Sequence, residues 1–369
     1  MTTPAREWTP RIWQGCTLSA WLRLILRNRF AISPRFFYIP IVISHVSIGH
    51  SIARIIQEAV YGDRPGRTPL AQPPIFIVGH WRTGTTLLHE MMILDPRHTY
   101  PDTYQCLESN HFLLTEGIVK RWFNWMLPSR RPMDNMKAGW DRPQEDEFGL
   151  CMMGQPSPYL TIAFPNHPPQ DQNAFDVRDL PPRQYRVWKQ AFGRYLSEMT
   201  YRDSRRLVLK SPTHTCRIPT LLEMLPDAKF VHIMRDPYAV FPSTVNLWKS
   251  LYDTHGLQVP AYAGLEEYVL STFTMLYDKL EEAKQLIPSG QFHEMKYEDL
   301  IADPIGRMQR MYDELNLGGF EETRPRIESY LSENAGYAKN RFPMLSEEQR
   351  ETIARRWGSV IDRYGYTRR

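Results

Sequence analysis

Apolar residues follow two different spacings along this chain, and the switch between them marks its organisation. Residues 1 to about 70 carry helical spacing. Trp13, Leu18, Trp21, Leu22, Leu24 and Ile25 form one stripe beside Arg23, Arg27 and Arg29. Phe37, Ile41, Ile43, Val46, Ile48, Ile52, Ile55 and Ile56 form a second, up to Tyr61. Gly62 to Pro69 reads as a loop. After it come short, continuous apolar runs rich in β-branched and aromatic residues, which predict buried strands at 75–78, 206–210, 229–234 and 292–297. Helical spacing returns after each of them: from Thr85 with Leu87, Leu88, Met91, Met92 and Leu94, at Ile218 to Leu225, through Val240, Val245, Leu247 and Trp248, and over Pro304 to Leu315. Leu265 to Leu286 adds a long amphipathic helix. The order β-α-β-α-β predicts an α/β fold: a P-loop-like central parallel sheet flanked by helices, over 71–369, with an added N-terminal helical segment over 1–70.

The middle of the chain is less regular. Residues 95–170 are aromatic and loop-rich, and Pro101 breaks any long strand. His111-Phe-Leu-Leu opens a helix that takes in Trp122 and Trp125. Pro143-Gln-Glu-Asp-Glu follows, and its three consecutive acids are either first-turn capping groups or a catalytic carboxylate. Pro156 to Pro182, rich in Pro, Asn, Gln and Asp, reads as a surface loop.

The strand at Ile75 leads into Gly79-His-Trp-Arg-Thr-Gly-Thr-Thr86 and then a helix. A strand, a glycine-bracketed loop and a helix N-terminus together hold phosphate, because the loop and first-turn N–H groups lack internal partners and the helix dipole favours an anion. Gly79 and Gly84 keep the spacing of a nucleoside-triphosphate loop, and Thr86 takes its Ser/Thr position. Thr85 stands where that loop has lysine, and the cation is instead Arg82. Such a loop suits a 5′-phosphate carrying one further transferable group. Arg82, Lys210, Arg235 and Tyr297 all fall just past predicted strand ends, where parallel sheets bind ligands.

Composition narrows the reading. With 369 residues, 42% of them apolar and 12% aromatic, the chain supports one large domain or two ordinary ones. A formal charge of +4 is too small for a general nucleic-acid footprint, so no nucleic-acid partner is expected. Cys16, Cys106, Cys151 and Cys216 show neither C-x-x-C pairing nor metal-ligand spacing, which points to buried thiols in a reducing compartment. No signal-peptide pattern is seen, and no unbroken run reaches the ~20 apolar residues that span a bilayer. The nearest, Phe36 to Ile48, is broken by Pro40, Ser44 and His45. A cytoplasmic location is expected. The apolar, basic preface either packs on the main domain or rests peripherally on a membrane.

Three linked segments, Gly79 to Thr86, Lys210-Ser-Pro212 and Met234-Arg-Asp-Pro237 with Ser243, resemble the sulfotransferases that use 3′-phosphoadenosine 5′-phosphosulfate (PAPS), in the bacterial branch near tyrosylprotein sulfotransferases. The resemblance spans roughly 74–369. It implies sulfuryl transfer to a hydroxyl acceptor, with 3′-phosphoadenosine 5′-phosphate (PAP) as product and no metal. It also implies that Arg82, Thr83, Gly84, Thr85 and Thr86 hold the 5′-phosphosulfate, that Arg235 and Ser243 hold the 3′-phosphate, that Tyr297 lies near the adenine, and that Lys339 and Arg341 form a late basic loop over the 3′-phosphate. Arg82 and Lys210 are placed to stabilise charge on the bridging oxygen.

A general base is also needed, because an alcohol does not ionise at neutral pH. The histidine that the classical cytosolic branch keeps two residues after its lysine is Pro212 here. His111 is the first candidate, Glu145 the second and Glu108 the third; Asp102, Glu147 and His214 lie nearby. The aromatic residues between Tyr100 and Phe164, with the apolar preface, favour a lipophilic acceptor. The rival readings are a P-loop kinase, with Asp236 as a magnesium ligand, and a non-catalytic scaffold on the same fold.

Overall fold

A computed structural model describes residues 11–122, 139–334 and 344–369. Its sheet is built from β1 (Ile75–Val78), β2 (His98–Thr99), β3 (Arg206–Lys210), β4 (Lys229–Met234) and β5 (Phe292–Lys296). All neighbours are parallel, in the order β2-β3-β1-β4-β5. Four strands lie where the apolar runs predict them. The fifth, β2, is two residues long and has no apolar run to announce it. Successive side chains of a strand point to opposite faces, and β1 shows it. Phe76 and Val78 join a large core cluster with Trp188 and Phe192, whereas Ile75 and Ile77 join a smaller one with Met91 and Met308.

The N-terminal segment folds as α1 (Leu18–Arg27) and α2 (Tyr38–Tyr61). Trp13 and Trp21 are buried in the same cluster as Phe76. The Trp13 indole donates to the His255 carbonyl at 2.7 Å, and that of Trp21 to Ser44 Oγ at 3.0 Å. The preface is therefore packed on the sheet-bearing body through one side. α2 runs unbroken through the Pro40, Ser44 and His45 that divide the apolar run, as the helical stripe from Phe37 to Tyr61 predicts. Pro40 falls in the first helical turn, where a missing N–H costs nothing. His45 Nδ1 contacts the Ile41 carbonyl at 2.7 Å, so the helix runs through. Within Pro34–Tyr61 an 18-residue window reaches mean hydropathy 1.5, so the helix is by length and composition sufficient to cross a bilayer.

Two further segments depart from the sequence reading. Residues 156–182 are not a surface loop: Tyr159, Ile162, Ala163 and Phe164 are buried, because short 3-10 turns at Pro158–Ile162, Gln172–Ala174 and Val177–Asp179 satisfy the backbone locally. α7 (Pro182–Arg202), which the strand-and-helix reading passes over, buries Trp188, Phe192, Tyr195, Leu196 and Met199, the spacing of one helical face. All four cysteines are buried and free, and burial pushes the Cys16 and Cys216 thiols up to about 12.

Candidate active site

β3, β1, β4 and β5 are adjacent and parallel, so their carboxyl ends form one edge. Lys210, the loop after β1, Arg235 and Tyr297 all lie on it. The loop turns from β1 into α3 (Thr85–Met92) through two glycines that no other residue replaces. Gly79 has φ 143° and Gly84 φ 104°; a Cβ on Gly84 would lie 2.4 Å from Cδ2 of Tyr297. Arg82 itself has φ 68°, an uncommon left-handed conformation for a non-glycine residue. Thr215, on α8 (His214–Met224), clamps the loop's start by accepting from the Gly79 N–H at 2.8 Å. Thr83 donates to the His80 carbonyl at 2.8 Å and holds its middle.

The cations meet on the far side of this loop. Arg82 Nε donates to Ser243 Oγ at 2.9 Å, and Arg235 Nη1 to the Arg82 carbonyl at 3.3 Å. The Arg235 guanidinium lies 4.6 Å from the centre of the Tyr297 ring. Among the described residues no carboxylate pairs with Arg235. Ser243 is held by α9 (Pro237–His255), which starts where Asp236 accepts from the Tyr238 N–H at 2.9 Å and Pro237 takes the first helical position. Asp236 also pairs with Arg369 at 3.0 Å, so its carboxylate serves capping and packing.

The acidic triplet explains the other side. Glu145 stands at the N-cap of α6 (Asp146–Met152) yet makes no cap hydrogen bond. Each acid instead reaches a different group of the β3–α8 connection. Glu145 Oε1 accepts from Lys210 Nζ at 2.8 Å; its other oxygen accepts from the Tyr159 hydroxyl, which in turn accepts from the Trp81 indole at 2.9 Å. Asp146 accepts from Ser211 at 2.9 Å and contacts His214 Nε2 at 2.6 Å, with both ionisable groups fully buried. Glu147 takes a two-pronged contact from Arg217, plus the hydroxyls of Thr213 and Ser157. Burial alone would raise the Asp146 carboxyl, but the charge and hydrogen bond of His214 and the Ser211 bond outweigh it and hold it below the usual range. Burial, then Glu145, push the Tyr159 phenol well up, so it remains a donor. Lys210 is 3% exposed and faces a carboxylate across the loop from Arg82. A cation and a carboxylate so joined can stabilise a leaving oxygen and accept a proton.

Residues 73–322 match the sulfotransferase family. The omega-hydroxy-beta-dihydromenaquinone-9 sulfotransferase Stf3 of Mycobacterium bovis is 47% identical over 363 residues, 98% of this chain and 93% of that protein. The chain belongs to the sulfotransferase family. Sulfuryl transfer to a hydroxyl acceptor is its reaction. In three dimensions the sulfotransferase resembles the crystal structure of STF9 from Mycobacterium avium, with a TM-score of 0.63 at 19% identity, covering 98% of this chain and 93% of that one. STF1 from Mycobacterium tuberculosis gives 0.62 at 17% identity, covering 93% and 91%. At these identities the likeness is one of fold.

The sulfotransferase does not bring every predicted site residue to this edge. His111 precedes α5 (Phe112–Trp122), and its side-chain contacts are His50 of α2 (Nε2 to Nδ1, 2.6 Å), Glu108 (3.2 Å) and Thr115 (2.9 Å). Glu108 also lies 3.0 Å from His50. By residue type these three could ligate a metal. Their geometry is that of a hydrogen bond: the ring centres are 4.9 Å apart and the planes within 6°, so the two nitrogens meet head-on, whereas a shared cation needs lone pairs converging at an angle. Asp102 caps α4 (Thr103–Leu107) and accepts from Lys120. Lys339, Arg341 and Trp125 lie outside the described residues. The sequence reading missed Tyr159 and the His214 and Arg217 partnerships. Both clusters are visible in the sequence, acids at 145, 146 and 147 and bases at 210, 214 and 217, but nothing in it pairs them.

Proposed function

We propose that this sulfotransferase takes its sulfuryl group from PAPS and places it on the terminal hydroxyl of a long isoprenoid alcohol. The observation that carries the reaction scheme is the Lys210–Glu145 pair set across the glycine loop from Arg82, Arg235 and Ser243. The loop N–H groups of 82–86 with Arg82 suit the 5′-phosphosulfate, and Arg235, which no described carboxylate neutralises, suits the 3′-phosphate with Ser243 beside it. Tyr297, already against the Arg235 guanidinium, flanks the adenine.

In the transfer, the acceptor oxygen forms a bond to sulfur in line with the breaking bond between sulfur and the phosphate oxygen, and PAP leaves. Glu145 accepts the hydroxyl proton, and Tyr159 holds it in place. Lys210, released from Glu145 as the anionic donor enters, donates to the bridging oxygen as charge develops there. His111, tied to His50 and Glu108, has no part in this scheme. For the kinase rival, Thr85 leaves the β- and γ-phosphates without their lysine, and Asp236 is engaged in its cap.

The acceptor class is supported by the 47% identity to Stf3, whose name gives an omega-hydroxylated dihydromenaquinone as its acceptor. Labelled PAPS incubated in parallel with an omega-hydroxylated menaquinone, a simple phenol and a tyrosine peptide tests it. Transfer to the isoprenoid alcohol, surviving EDTA, is the expected result. Transfer confined to the phenol or peptide refutes the acceptor, and transfer from ATP in place of PAPS refutes the donor.

A further inference from the structure

The outer face of α2 is used by nothing so far described. Ile39, Ile43, Ser47 and Gln57 face inward at helical spacing. Gln57 accepts from the Leu114 N–H, Ser51 from that of Leu18, and Tyr61 donates to the Leu113 carbonyl. The opposite face exposes Tyr38, Ile41, Ile48, Ile52, Ile55 and Val60, with Ile55 65% exposed. Over Tyr38 to Val60 the helix extends ~33 Å at 1.5 Å per residue. A face of this length made of large aliphatic side chains is far beyond the scattered exposed residues of an ordinary soluble surface.

Charge says what covers it. From Tyr38 to Val60 the sequence holds two charged residues, Arg54 and Glu58, which pair with each other at 3.1 Å. Exposed arginines stand on the same segment at 23, 29 and 35. The neighbouring helices add exposed Leu26 and Phe30 on the α1 side and Trp122, a residue favoured at lipid headgroups, at the end of α5. Aliphatic residues with exposed arginines and a tryptophan on the adjoining elements, and with a single carboxylate, Glu58, already paired with Arg54, fit an anionic bilayer surface better than a protein partner, whose interface would be rimmed by both signs. The inward face is occupied by Trp21, Tyr61, Leu114 and His50 contacts, so α2 lies along the surface as part of the folded body.

We propose that this face seats the enzyme on an anionic membrane. It acts where an apolar acceptor is dissolved. The inference stands on exposure and charge, and its readout is binding, so it can fail while the proposed acceptor holds, and the reverse.

The test is flotation of the full chain with vesicles of phosphatidylcholine alone or with phosphatidylglycerol. The wild type should float with the anionic vesicles and be released by high salt. Ile41→Asp/Ile52→Asp/Ile55→Asp should lower the bound fraction at least tenfold, with PAP binding and Tm retained because these side chains are exposed. Arg23→Glu/Arg29→Glu should remove the preference for anionic lipid. Absence of flotation with either vesicle overturns the proposal. So does a dimer in sedimentation that the isoleucine substitutions dissolve, since a second copy would then cover the face. So does resistance to extraction at high pH, which would mark a spanning helix.

Discussion

The carboxyl edge of the sheet and the outer face of α2 are the two unusual surfaces of this molecule, and they are unusual in opposite ways. At the edge, charge is concentrated and buried, and each acid of the triplet has a designated base or hydroxyl. On α2, the charged residues over its 24 positions are Arg54 and Glu58, paired with each other, and the apolar side chains are left uncovered. Buried ions must be paired where they stand, because an isolated charge in a low-dielectric interior costs several kcal/mol. Apolar surface carries no such demand for geometry and needs only to be kept from water. The edge therefore suits a defined small anion, and the face suits a surface without fixed structure, as proposed above.

The comparison breaks most easily at Glu147. It is fully buried against Arg217, and Glu147→Gln leaves the guanidinium unpaired in the core. We expect a stability loss of about 3–5 kcal/mol, read by chemical denaturation. Three isoleucines changed to aspartate on the α2 face should cost less than about 1 kcal/mol together, as exposed substitutions do. Equal losses would show that the two regions are not built on different principles.

Next in size is Lys210. Lys210→Ala removes the cation proposed to meet developing charge, and kcat should fall by ~10²–10³-fold. PAP affinity should change much less, and equal losses in both would make Lys210 a donor clamp only. Glu145→Gln should lower kcat by at least ~100-fold while PAP still binds. His111→Ala should keep near-normal turnover, and a collapse there would return the base to the His50–Glu108 cluster. Arg235→Ala follows: loss of a charge-assisted contact is worth about 1.5–3 kcal/mol, at least tenfold in PAP affinity by calorimetry. The α2 face variants should leave that affinity unchanged.

The two regions were also unequally legible. The edge could be read because its chemistry is written in short segments attached to strand ends. Gly79, Arg82, Gly84, Lys210, Arg235 and Ser243 each sit within a few residues of an apolar run that fixes their place. What could not be read was pairing across the chain. The partners Glu145 and Lys210 are 65 residues apart, and His50 and His111 are 61 apart; neither pair has a spacing rule. Residues 156–182 misled for a related reason. Their Pro, Asn and Gln content suits turns, and turns can be buried once 3-10 hydrogen bonds and contacts such as Leu257 N–H to the Ala163 carbonyl satisfy them. α2 was legible as apolar, yet its continuity depended on Pro40 falling in a first turn.

The smallest expected effect separates the regions by pH. Burial, which disfavours the charged ring, lowers the His50 pKa below its ordinary value; Glu108 opposes this and His111 adds to it. A histidine depressed in the folded state takes up its proton more readily when unfolded. Its contribution to stability is therefore present above about pH 6.5 and is lost as pH falls below that value. Asp146 is depressed as well, but from a carboxylate's ordinary value, so its contribution persists until about pH 4 and is lost below it. On acidification α2 should loosen before the α6–α8 contact, whereas the glycine loop, where burial lowers His80 to about 4, should follow the histidine course as α2 does. Hydrogen exchange between pH 7 and 5 should quicken along α2 before it changes in α6 and α8, and His50→Gln should flatten the α2 response while leaving the later one. Exchange that rises in step over all three helices would mean that α2 and the edge open as one unit, and that their difference is confined to what they bind.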